Sequence, residues 1–476
     1  MIELKDVVFS YADIPVLNNI SLRIETGECV VITGPSGNGK TTLTRVINGL
    51  APSYYGGSLQ GDVLINGKPV MDMPSWERAR IMGNVFQDPQ SQFFSGELAG
   101  EIAFACENLG FSARDINQRT NNVIHDMNLE YLCHTPLDAV SSGEMQKVAV
   151  ASVRSVAPNI YVFDEPSANL DDDATVNLIK ILENLKESGN TLIISEHRLS
   201  WLSGIADRIF YLENGRITAE FRPDELKELP PEKYPPCRSL KPVCRPALPV
   251  LGEAGTRREQ HETLSAKTPL IEARNISFRI QGRAILSNIS FLAFPGMIVA
   301  VTGKNGAGKT TLGKILGGLV RESEGTVLIH NKPAPARKRN FAVWFSSNNT
   351  HTQFITHSVI EEILLLSAGK KAHVETARNI LKQLGLYEYR DAHPAVLSGG
   401  QKQRLSLACG IFSGRNILVF DEPTSCLDKN GLLQVSNCFR EVAGKGKTVF
   451  IITHDNELMR TCCTHCVSLD KINPTG

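Results

Sequence analysis

Short apolar runs recur along the chain and predict buried strands. The runs at residues 29–32, 160–163 and 191–194 are each four residues long and alternate with helical segments, a pattern that favours a parallel sheet. Residues 3–9 instead alternate between polar and apolar positions, as in a half-buried strand, and residues 114–127 are predicted to be helical. The fold class is therefore α/β, with a parallel-sheet core, an antiparallel β subdomain and a helical subdomain.

The same pattern occurs twice in the chain. The segment beginning at Leu17 matches the one beginning at Leu286, and residues 162–166 match residues 419–423. The second copy is 12 residues shorter between these points, which suits trimmed loops. Two copies of about 210 residues indicate a tandem duplication, because the units of a solenoid are much smaller.

The stretch between the two copies has the composition of a linker. Residues 222–268 contain eight prolines and include a polar run at residues 253–267. Proline-rich stretches are extended, and polar ones cannot build a core. We predict a first domain at residues 1–224, a linker at residues 225–268 that lets the two halves face each other, and a second domain at residues 269–476.

Composition excludes several classes of protein. The chain has 476 residues, zero formal net charge and a pI of about 7.1, without the basic footprint of a nucleic-acid-binding protein. No apolar run approaches the roughly 18 residues that a membrane helix needs. The N-terminus has no pattern of a signal peptide, so the eleven cysteines are expected to be reduced thiols.

Three of these cysteines, Cys462, Cys463 and Cys466, form a local cluster with a C-x-x-C spacing. A metal site is one interpretation, but such a site lacks its second pair of ligands. The favoured interpretation is the end of a helix running into an apolar strand, as at the matching place in the first copy.

A glycine-rich loop follows the first buried strand and recurs in the second copy. Residues 34–41 and 303–310 both fit G-x-x-x-x-G-K-T between a strand and a helix. In this context backbone N–H groups and a helix N-terminus attract phosphate oxygens, Lys40 reaches the β- and γ-phosphates of a nucleotide, and Thr41 ligates Mg²⁺. The predicted phosphate-binding residues are Gly34, Pro35, Ser36, Gly37, Asn38, Gly39, Lys40, Thr41 and Thr42, and Gly303, Lys304, Asn305, Gly306, Ala307, Gly308, Lys309, Thr310 and Thr311.

Two carboxylates end a buried strand in each copy. Asp164 and Glu165 follow residues 160–163, at the sheet edge where α/β proteins bind ligands. Asp164 is placed to hold Mg²⁺, and Glu165 to orient and deprotonate an attacking water. Asp421 and Glu422 repeat the pair, which makes an accidental strand end an unsatisfactory explanation.

A histidine follows the next strand in each copy, at His197 and His454. A single histidine in such a position is more often structural than functional. Its recurrence favours a role in hydrogen bonding to the γ-phosphate and the catalytic water.

Further motifs surround these residues. Residues 397–404 read Leu-Ser-Gly-Gly-Gln-Lys-Gln-Arg, residues 86–89 place Gln87 after the apolar Phe86, and residues 167–171 and 424–428 follow the paired carboxylates. With these motifs the chain resembles a tandem ATP-binding cassette ATPase. They match that family's signature motif, its glutamine loop and its loop after the catalytic glutamate, and the resemblance covers everything except the linker.

In that family two cassettes pack head to tail, and each ATP with its Mg²⁺ lies between the phosphate loop of one and the signature motif of the other. The resemblance implies that the two halves of this chain pair with each other. It adds Tyr11 as the ring that stacks on adenine and Gln87 beside the metal and the water. The implied catalytic residues are Glu165, His197, Gln87, Glu422 and His454. The implied Mg²⁺ ligands are Thr41, Gln87, Asp164, Thr310 and Asp421. The implied signature contacts are Ser398, Gly399, Gly400 and Gln401 for site one, on the first phosphate loop, and Ser141, Ser142 and Gly143 for site two, on the second.

The two sites are predicted to be unequal. Every part of site one is present. In the signature that serves site two, Ser142 replaces a glycine and Glu144 a glutamine. Asn348 stands as a shorter amide near the glutamine position of the second half, and Ile280 stands where the first half has Tyr11, so that no ring stacks there unless Phe278 does. We expect site two to bind ATP and turn over slowly.

Residues 87–94 resemble the energy-coupling factor branch of importers, where this region grips a helix of a membrane component. The resemblance implies a transmembrane coupling subunit and a small substrate-binding membrane subunit as partners, and a peripheral location on the cytoplasmic face of the cell membrane. The cargo there is a vitamin, a vitamin precursor, or cobalt or nickel. No nucleic acid is expected as a partner. The alternatives are a tandem cassette ATPase that acts on ribosomes and the ATPase of another importer type.

Overall fold

The structure is a computed structural model that divides into two compact units, Met1–Pro242 and Val243–Gly476. It describes residues 1–12, 14–168, 170–228, 238, 243–252, 268–280, 282–348, 353–365, 373–425 and 427–472. None of the helices within these ranges is long and apolar enough to cross a membrane.

The first unit contains two sheets and a group of helices. Its strands are β1 (Ile2–Tyr11), β2 (Ile14–Ile24), β3 (Cys29–Thr33), β4 (Ser58–Ile65), β5 (Lys68–Pro69), β6 (Met82–Val85), β7 (Ile160–Asp164), β8 (Thr191–Ser195), β9 (Arg208–Glu213) and β10 (Arg216–Phe221). Its α-helices are α1 (Lys40–Ile47), α2 (Ser75–Ile81), α3 (Leu98–Asn108), α4 (Ala113–Asp126), α5 (Ser142–Arg154), α6 (Asp172–Glu187) and α7 (Pro223–Glu228).

The strands β2-β1-β4-β5 form an antiparallel sheet, and β10-β9-β3-β8-β7-β6 form a second sheet in which only β10 is antiparallel to its neighbour. Strands β3, β7 and β8 are buried along their whole length, as expected of parallel strands covered on both faces. Their carboxyl ends therefore meet at one edge, where the phosphate loop, the paired carboxylates and the histidine all emerge. The predicted α/β fold with its antiparallel and helical subdomains is confirmed.

The second unit repeats this plan with fewer strands. Its strands are β11 (Ile271–Ile280), β12 (Arg283–Ala293), β13 (Ile298–Thr302), β14 (Glu324–Ile329), β15 (Lys332–Pro333), β16 (Val343–Ser346), β17 (Ile417–Asp421), β18 (Thr448–Ile452) and β19 (His465–Ser468). Its helices are α8 (Lys309–Leu316), α9 (Ala336–Ala342), α10 (Val359–Leu364), α11 (Val374–Gln383), α12 (Gly399–Phe412), α13 (Lys429–Gly444), α14 (Asn456–Cys462) and α15 (Leu469–Ile472). The sheets have the orders β12-β11-β14-β15 and β16-β17-β18-β13-β19, and the second is parallel throughout.

The structure describes both ends of the predicted linker at residues 225–268. Residues 225–228 belong to α7, whose Leu226 is buried in the core of the first unit. Residues 243–252 contact the edge of the second unit's parallel sheet, where Val250 forms an isolated parallel β-bridge with Cys466. The apolar side chain of Leu251 is buried there. Proline is compatible with this position because a sheet edge does not require every backbone N–H as a ladder donor. Residues 229–237, 239–242 and 253–267 lie outside the described residues.

The cysteine cluster spans the end of α14 and the beginning of β19. This confirms the interpretation of a helix that runs into an apolar strand. Among the residues that the structure describes, no group of three or more His, Cys, Asp or Glu side chains is arranged to hold a metal ion.

Candidate active sites

The phosphate loop of the first unit connects β3 to α1 and has a backbone that only glycine fits at its start. Gly34 has a φ of 148°, and a Cβ atom there would lie 2.0 Å from the carbonyl oxygen of Leu212. Gly39, with a φ of 98°, caps the N-terminus of α1. The loop therefore turns tightly and directs the beginning of α1, with its partial positive charge, at the candidate phosphate site.

Lys40 and Thr41 follow this turn and bring charge and oxygen ligands to it. The Lys40 ammonium donates to the carbonyl oxygens of Gly34 at 3.0 Å and Pro35 at 3.1 Å. The Thr41 hydroxyl donates to Asp164 Oδ1 at 3.1 Å. A hydroxyl beside a carboxylate is a hard oxygen pair of the kind that Mg²⁺ prefers, so these residues fit the predicted metal. Mg²⁺ held there would neutralise developing charge on transferring phosphoryl oxygens.

Burial affects the pKa of both predicted metal-binding carboxylates. Desolvation, helped by the neighbouring charge of Glu165, raises the pKa of Asp164, against hydrogen bonds from Ser195 and Thr41. Desolvation also raises the pKa of Asp421 to about 6. A cation is therefore favoured beside each of them, because it stabilises the ionised carboxylate.

Glu165 is held in a strained and specific position. Its φ is 47°, in the left-handed region, at a cost of about 1–3 kcal/mol that persists only where the surroundings impose it. The Gln87 amide nitrogen donates to Glu165 Oε2 at 2.8 Å, and His197 Nε2 lies 3.2 Å from Glu165 Oε1. His197 Nε2 also lies 3.4 Å from the Ser36 hydroxyl of the phosphate loop. The structure thus brings the predicted base, the amide, the histidine and the phosphate loop together.

The second unit places its phosphate loop and metal ligands in the same way. Lys309 donates to the carbonyl oxygens of Gly303 at 2.8 Å and Lys304 at 2.9 Å. The Thr310 hydroxyl donates to Asp421 Oδ2 at 2.8 Å. Each loop is therefore an equally complete cradle.

Glu422 has the same backbone conformation as its counterpart, with a φ of 47°, but different partners. It accepts a hydrogen bond from the Thr453 hydroxyl at 3.3 Å, and His454 Nε2 lies 3.9 Å from its Oε1 atom. The predicted catalytic carboxylate of the second unit therefore lies farther from its histidine than that of the first unit.

Strand pairing identifies the residue that fills the glutamine position of the second unit. Gln87 comes two residues after Val85, which pairs with Phe163. Asn348 comes two residues after Ser346, which pairs with Phe420, the match of Phe163. Asn348 is therefore the structural counterpart of Gln87. Within the described residues it makes no hydrogen bond to Glu422.

The signature motifs of both units begin a helix with the same capping box. Ser141 caps α5 and Ser398 caps α12. In each motif the side chain three positions on accepts a hydrogen bond from the serine backbone N–H, at Glu144 Oε2 over 2.8 Å and at Gln401 Oε1 over 2.9 Å. The carboxylate of Glu144 turns back into its own helix and also accepts the Ser141 hydroxyl at 2.6 Å. The Ser141 hydroxyl is therefore already engaged as a hydrogen-bond donor, which the sequence alone does not show.

The predicted adenine contacts differ between the units. The Tyr11 ring lies edge-on to Phe9 with 4.8 Å between centroids, and its hydroxyl is buried with no hydrogen-bond partner among the described residues. Ile280 is half exposed, and Phe278 packs against the core of its own unit. Stacking of an adenine on Tyr11 stays a prediction, as does the pairing of each phosphate loop with the signature of the other unit.

Four residues beside the catalytic groups were not predicted from the sequence. Ser195 donates a short hydrogen bond to Asp164, and Thr453 donates to Glu422. Glu196 and Asp455 are buried beside the two histidines. Their position in the sequence could have indicated them, because each lies within two residues of a predicted catalytic histidine.

These features define a class of protein, a nucleoside triphosphatase with two phosphate-loop cores. Residues 17–168 and 286–425 match the ABC transporter family. The chain belongs to that family, and it is an ATPase that binds ATP with Mg²⁺.

Individual relatives match along the whole chain. An ABC transporter ATP-binding protein of Treponema denticola is 36% identical over 472 residues, which cover 98% of this chain and 95% of the relative. The HMP/thiamine import ATP-binding protein YkoD of Bacillus subtilis is 30% identical over 485 residues, with 96% and 88% covered. A solved structure of ribosome-bound archaeal Pelota and ABCE1 matches with a TM-score of 0.68 and 21% identity, over 97% of this chain and 76% of that chain, a likeness of fold alone.

Proposed function

We propose that the chain is the energy-coupling ATPase of a membrane importer of the energy-coupling factor type. Its cargo is a vitamin, a vitamin precursor, or cobalt or nickel, and its partners are a transmembrane coupling subunit and a small substrate-binding membrane subunit. It acts as a peripheral protein on the cytoplasmic face of the cell membrane. The cargo class is supported by the Bacillus subtilis relative, whose name gives HMP and thiamine import.

The observation that carries the proposal is an exposed apolar side chain at the same place in each unit. Phe94 and Ile355 are both 77% exposed, and each comes seven residues after the glutamine-loop position at Gln87 or Asn348. A single exposed apolar side chain is ordinary, but its recurrence at equivalent positions of two units favours a shared role as an interaction site. Phe94 also stacks on Phe104, with 4.6 Å between ring centroids, which makes a broader aromatic surface in the first unit.

Each of these side chains stands on a loop that a buried glutamate holds in place. Glu101 Oε2 accepts the backbone N–H groups of Phe94 at 2.8 Å and Ser95 at 2.9 Å. Glu362 Oε2 accepts those of Ile355 and Thr356, both at 3.0 Å. These glutamates are only 3% and 7% exposed.

A buried carboxylate is costly unless it is fully hydrogen-bonded. Using one to fix a surface loop presents an apolar anchor with little loss of entropy on binding, as the core of an interface requires. We infer that the two anchors receive two helical segments of the membrane partner, one on each unit. The aromatic surface of the first unit and the aliphatic one of the second fit different segments.

Co-purification from membranes tests this proposal. The tagged full-length chain is expressed in its own host, and the membranes are solubilised in mild detergent. We expect the chain to bring down two small hydrophobic proteins, and the double variant Phe94→Ser, Ile355→Ser to lose most of both. Phe341→Ser is the matched control, because Phe341 is 74% exposed at another place in the second unit.

Equal recovery of the membrane proteins with the double variant would remove the assignment of the docking surface. Recovery of the chain with ribosomes and without membrane proteins would instead favour the ribosomal alternative. The likeness to the ribosome-bound ABCE1 structure does not favour that alternative in advance, because it is a likeness of fold.

We also propose that the two units pair head to tail, and that site one hydrolyses ATP faster than site two. Three observations support the difference in hydrolysis rate between the two sites. Glu422 is farther from its histidine than Glu165 is, Asn348 makes no hydrogen bond to Glu422 within the described residues, and the Ser141 hydroxyl of the signature that serves site two is engaged by Glu144.

A further inference from the structure

A buried carboxylate stands beside the catalytic histidine in each unit, but on opposite sides of it in the sequence. Glu196, 3% exposed, precedes His197, whereas Asp455, 8% exposed, follows His454. The strand pairing shows that this is a true exchange of position. Ser195 pairs with Asp164 at the end of β8, and Ile452 pairs with Asp421 at the end of β18.

The two units therefore differ at two equivalent positions. Thr453 stands where the first unit has Glu196, and Arg198 stands where the second unit has Asp455. A sequence alignment would score both positions as mismatches, although each unit keeps one carboxylate.

In the first unit the carboxylate joins the histidine segment to the loop after the catalytic glutamate. Glu196 Oε2 accepts the Ser167 hydroxyl at 2.5 Å. Its other oxygen accepts the backbone N–H groups of His197 at 2.8 Å and Arg198 at 3.1 Å. The Arg198 guanidinium donates back to the carbonyl oxygen of Ser167.

In the second unit the carboxylate joins the same two segments from the other side. Asp455 Oδ2 accepts the Thr424 hydroxyl at 2.7 Å, and Thr424 is the match of Ser167. Its Oδ1 atom accepts the N–H groups of Glu457 and Leu458, both at 3.1 Å, and so caps α14. The Thr453 hydroxyl accepts the N–H of Asp455 at 3.0 Å.

We propose that Glu196 and Asp455 are equivalent positioning residues for hydrolysis. Glu196 joins the backbone N–H of His197 to the Ser167 hydroxyl. Asp455 joins the start of α14, directly after His454, to the Thr424 hydroxyl. In the first unit the histidine so held reaches Glu165 at 3.2 Å and the Ser36 hydroxyl of the phosphate loop at 3.4 Å. Neither carboxylate need touch the nucleotide, since its effect passes through the histidine.

The physical basis is precision. A catalytic group contributes fully only when it is held close to its productive position, and a displacement of about 1 Å costs on the order of a hundredfold in rate. The clamp consists of one side-chain hydroxyl and two backbone N–H groups that donate to a buried carboxylate, and such hydrogen bonds offset the cost of burying its charge. Removing it leaves these donors without their acceptor and frees the histidine segment to move.

The test uses the full-length chain with Glu422→Gln, so that turnover reports the first catalytic glutamate. In this background we expect Glu196→Ala to lower kcat about tenfold while KM for ATP changes by less than about twofold. The decisive variant is Glu196→Thr, Arg198→Asp, which installs the arrangement of the second unit. We expect it to restore kcat to within about threefold of the background.

Two further variants keep the test decisive. Ser167→Ala removes the hydroxyl alone, and we expect a loss of about threefold to fivefold in kcat. Glu187→Ala removes an exposed carboxylate of α6 and should leave kcat unchanged. If Glu196→Ala is insoluble, Ser167→Ala and the exchanged variant carry the test.

Several results would overturn the proposal. One is a Glu196→Ala protein whose kcat stays within about twofold of the background. Another is a loss that appears in KM rather than kcat, which would indicate a role in nucleotide binding. A folded exchanged variant, with native thermal stability, that is no more active than Glu196→Ala would show that the two carboxylates are not equivalent.

Discussion

The two predicted catalytic glutamates have the same backbone conformation and differ in the side chains that contact them. Glu165 and Glu422 both have a φ of 47° after a buried strand. Glu165 is contacted by the Gln87 amide at 2.8 Å and by its histidine at 3.2 Å, whereas Glu422 has the Thr453 hydroxyl at 3.3 Å and its histidine at 3.9 Å. The shared fold thus fixes the position of the candidate base, and the neighbouring loops determine how closely other side chains contact it.

The two signature motifs teach the same lesson. Both are capping boxes of the same geometry, and both use the side chain three residues after the serine. The difference is a single atom type. Glu144 accepts a hydrogen bond from the Ser141 hydroxyl. Gln401 forms the same capping box but, among the described residues, accepts only the Ser398 backbone N–H. A small chemical change within the same local structure therefore changes which donors at the start of the helix are already engaged.

The largest expected effect comes from removing each base in turn. Glu165→Gln should lower steady-state ATPase activity of the full-length chain by about a hundredfold, because an amide cannot accept a proton from water. Glu422→Gln should lower it by less than about twofold, since the slower site contributes little to total turnover. Phosphate release at saturating ATP measures both.

Equal losses from these two substitutions would contradict the inequality of the sites. Nucleotide binding to each variant must be measured alongside, since a loss of binding would also lower turnover. Retained binding with lost turnover assigns the effect to the chemical step.

A smaller effect is expected from exchanging the signature residues. Gln401→Glu, tested with Glu422→Gln, should lower the activity of site one by about tenfold, because the introduced carboxylate would take the Ser398 hydroxyl and repel phosphate. Glu144→Gln, tested with Glu165→Gln, should raise the activity of site two by about threefold.

These paired changes are each other's control, because the capping box is kept in both. A rise from Glu144→Gln measured at site one instead of site two would contradict the head-to-tail assignment. A fall from both changes would indicate damage to the helix start, which thermal unfolding would reveal.

The sequence predicted what depends on local pattern. The phosphate loops, the apolar strands and the paired carboxylates are each encoded within about ten consecutive residues, so periodicity and motif context suffice. The exchange of Glu196 for Asp455 was missed because its meaning lies in a contact with Ser167 or Thr424, 29 and 31 residues away.

Two other features were ambiguous for related reasons. The proline-containing stretch at residues 243–252 has the composition of a linker. Its contact with the edge of a sheet is a tertiary interaction, which no local sequence pattern shows. The two halves differ in loop length, so the sequence alone places the glutamine position of the second half only approximately. Only the register of β16 against β17 identifies Asn348 as its occupant.

The smallest effect is expected from restoring that amide. Asn348→Gln, tested with Glu165→Gln, lengthens the side chain by one methylene at the counterpart of Gln87, which donates to Glu165 at 2.8 Å. We expect site-two turnover to rise by about twofold to threefold, which corresponds to an added hydrogen bond that contributes about 0.5 kcal/mol. Gln87→Asn, tested with Glu422→Gln, is the matched control and should lower site-one turnover by at least as much. Because Gln87 is also a predicted metal ligand, both pairs are measured across a Mg²⁺ titration. A change confined to low Mg²⁺ would assign the amide to the metal, and one that persists at saturating Mg²⁺ would assign it to the positioning of the catalytic carboxylate.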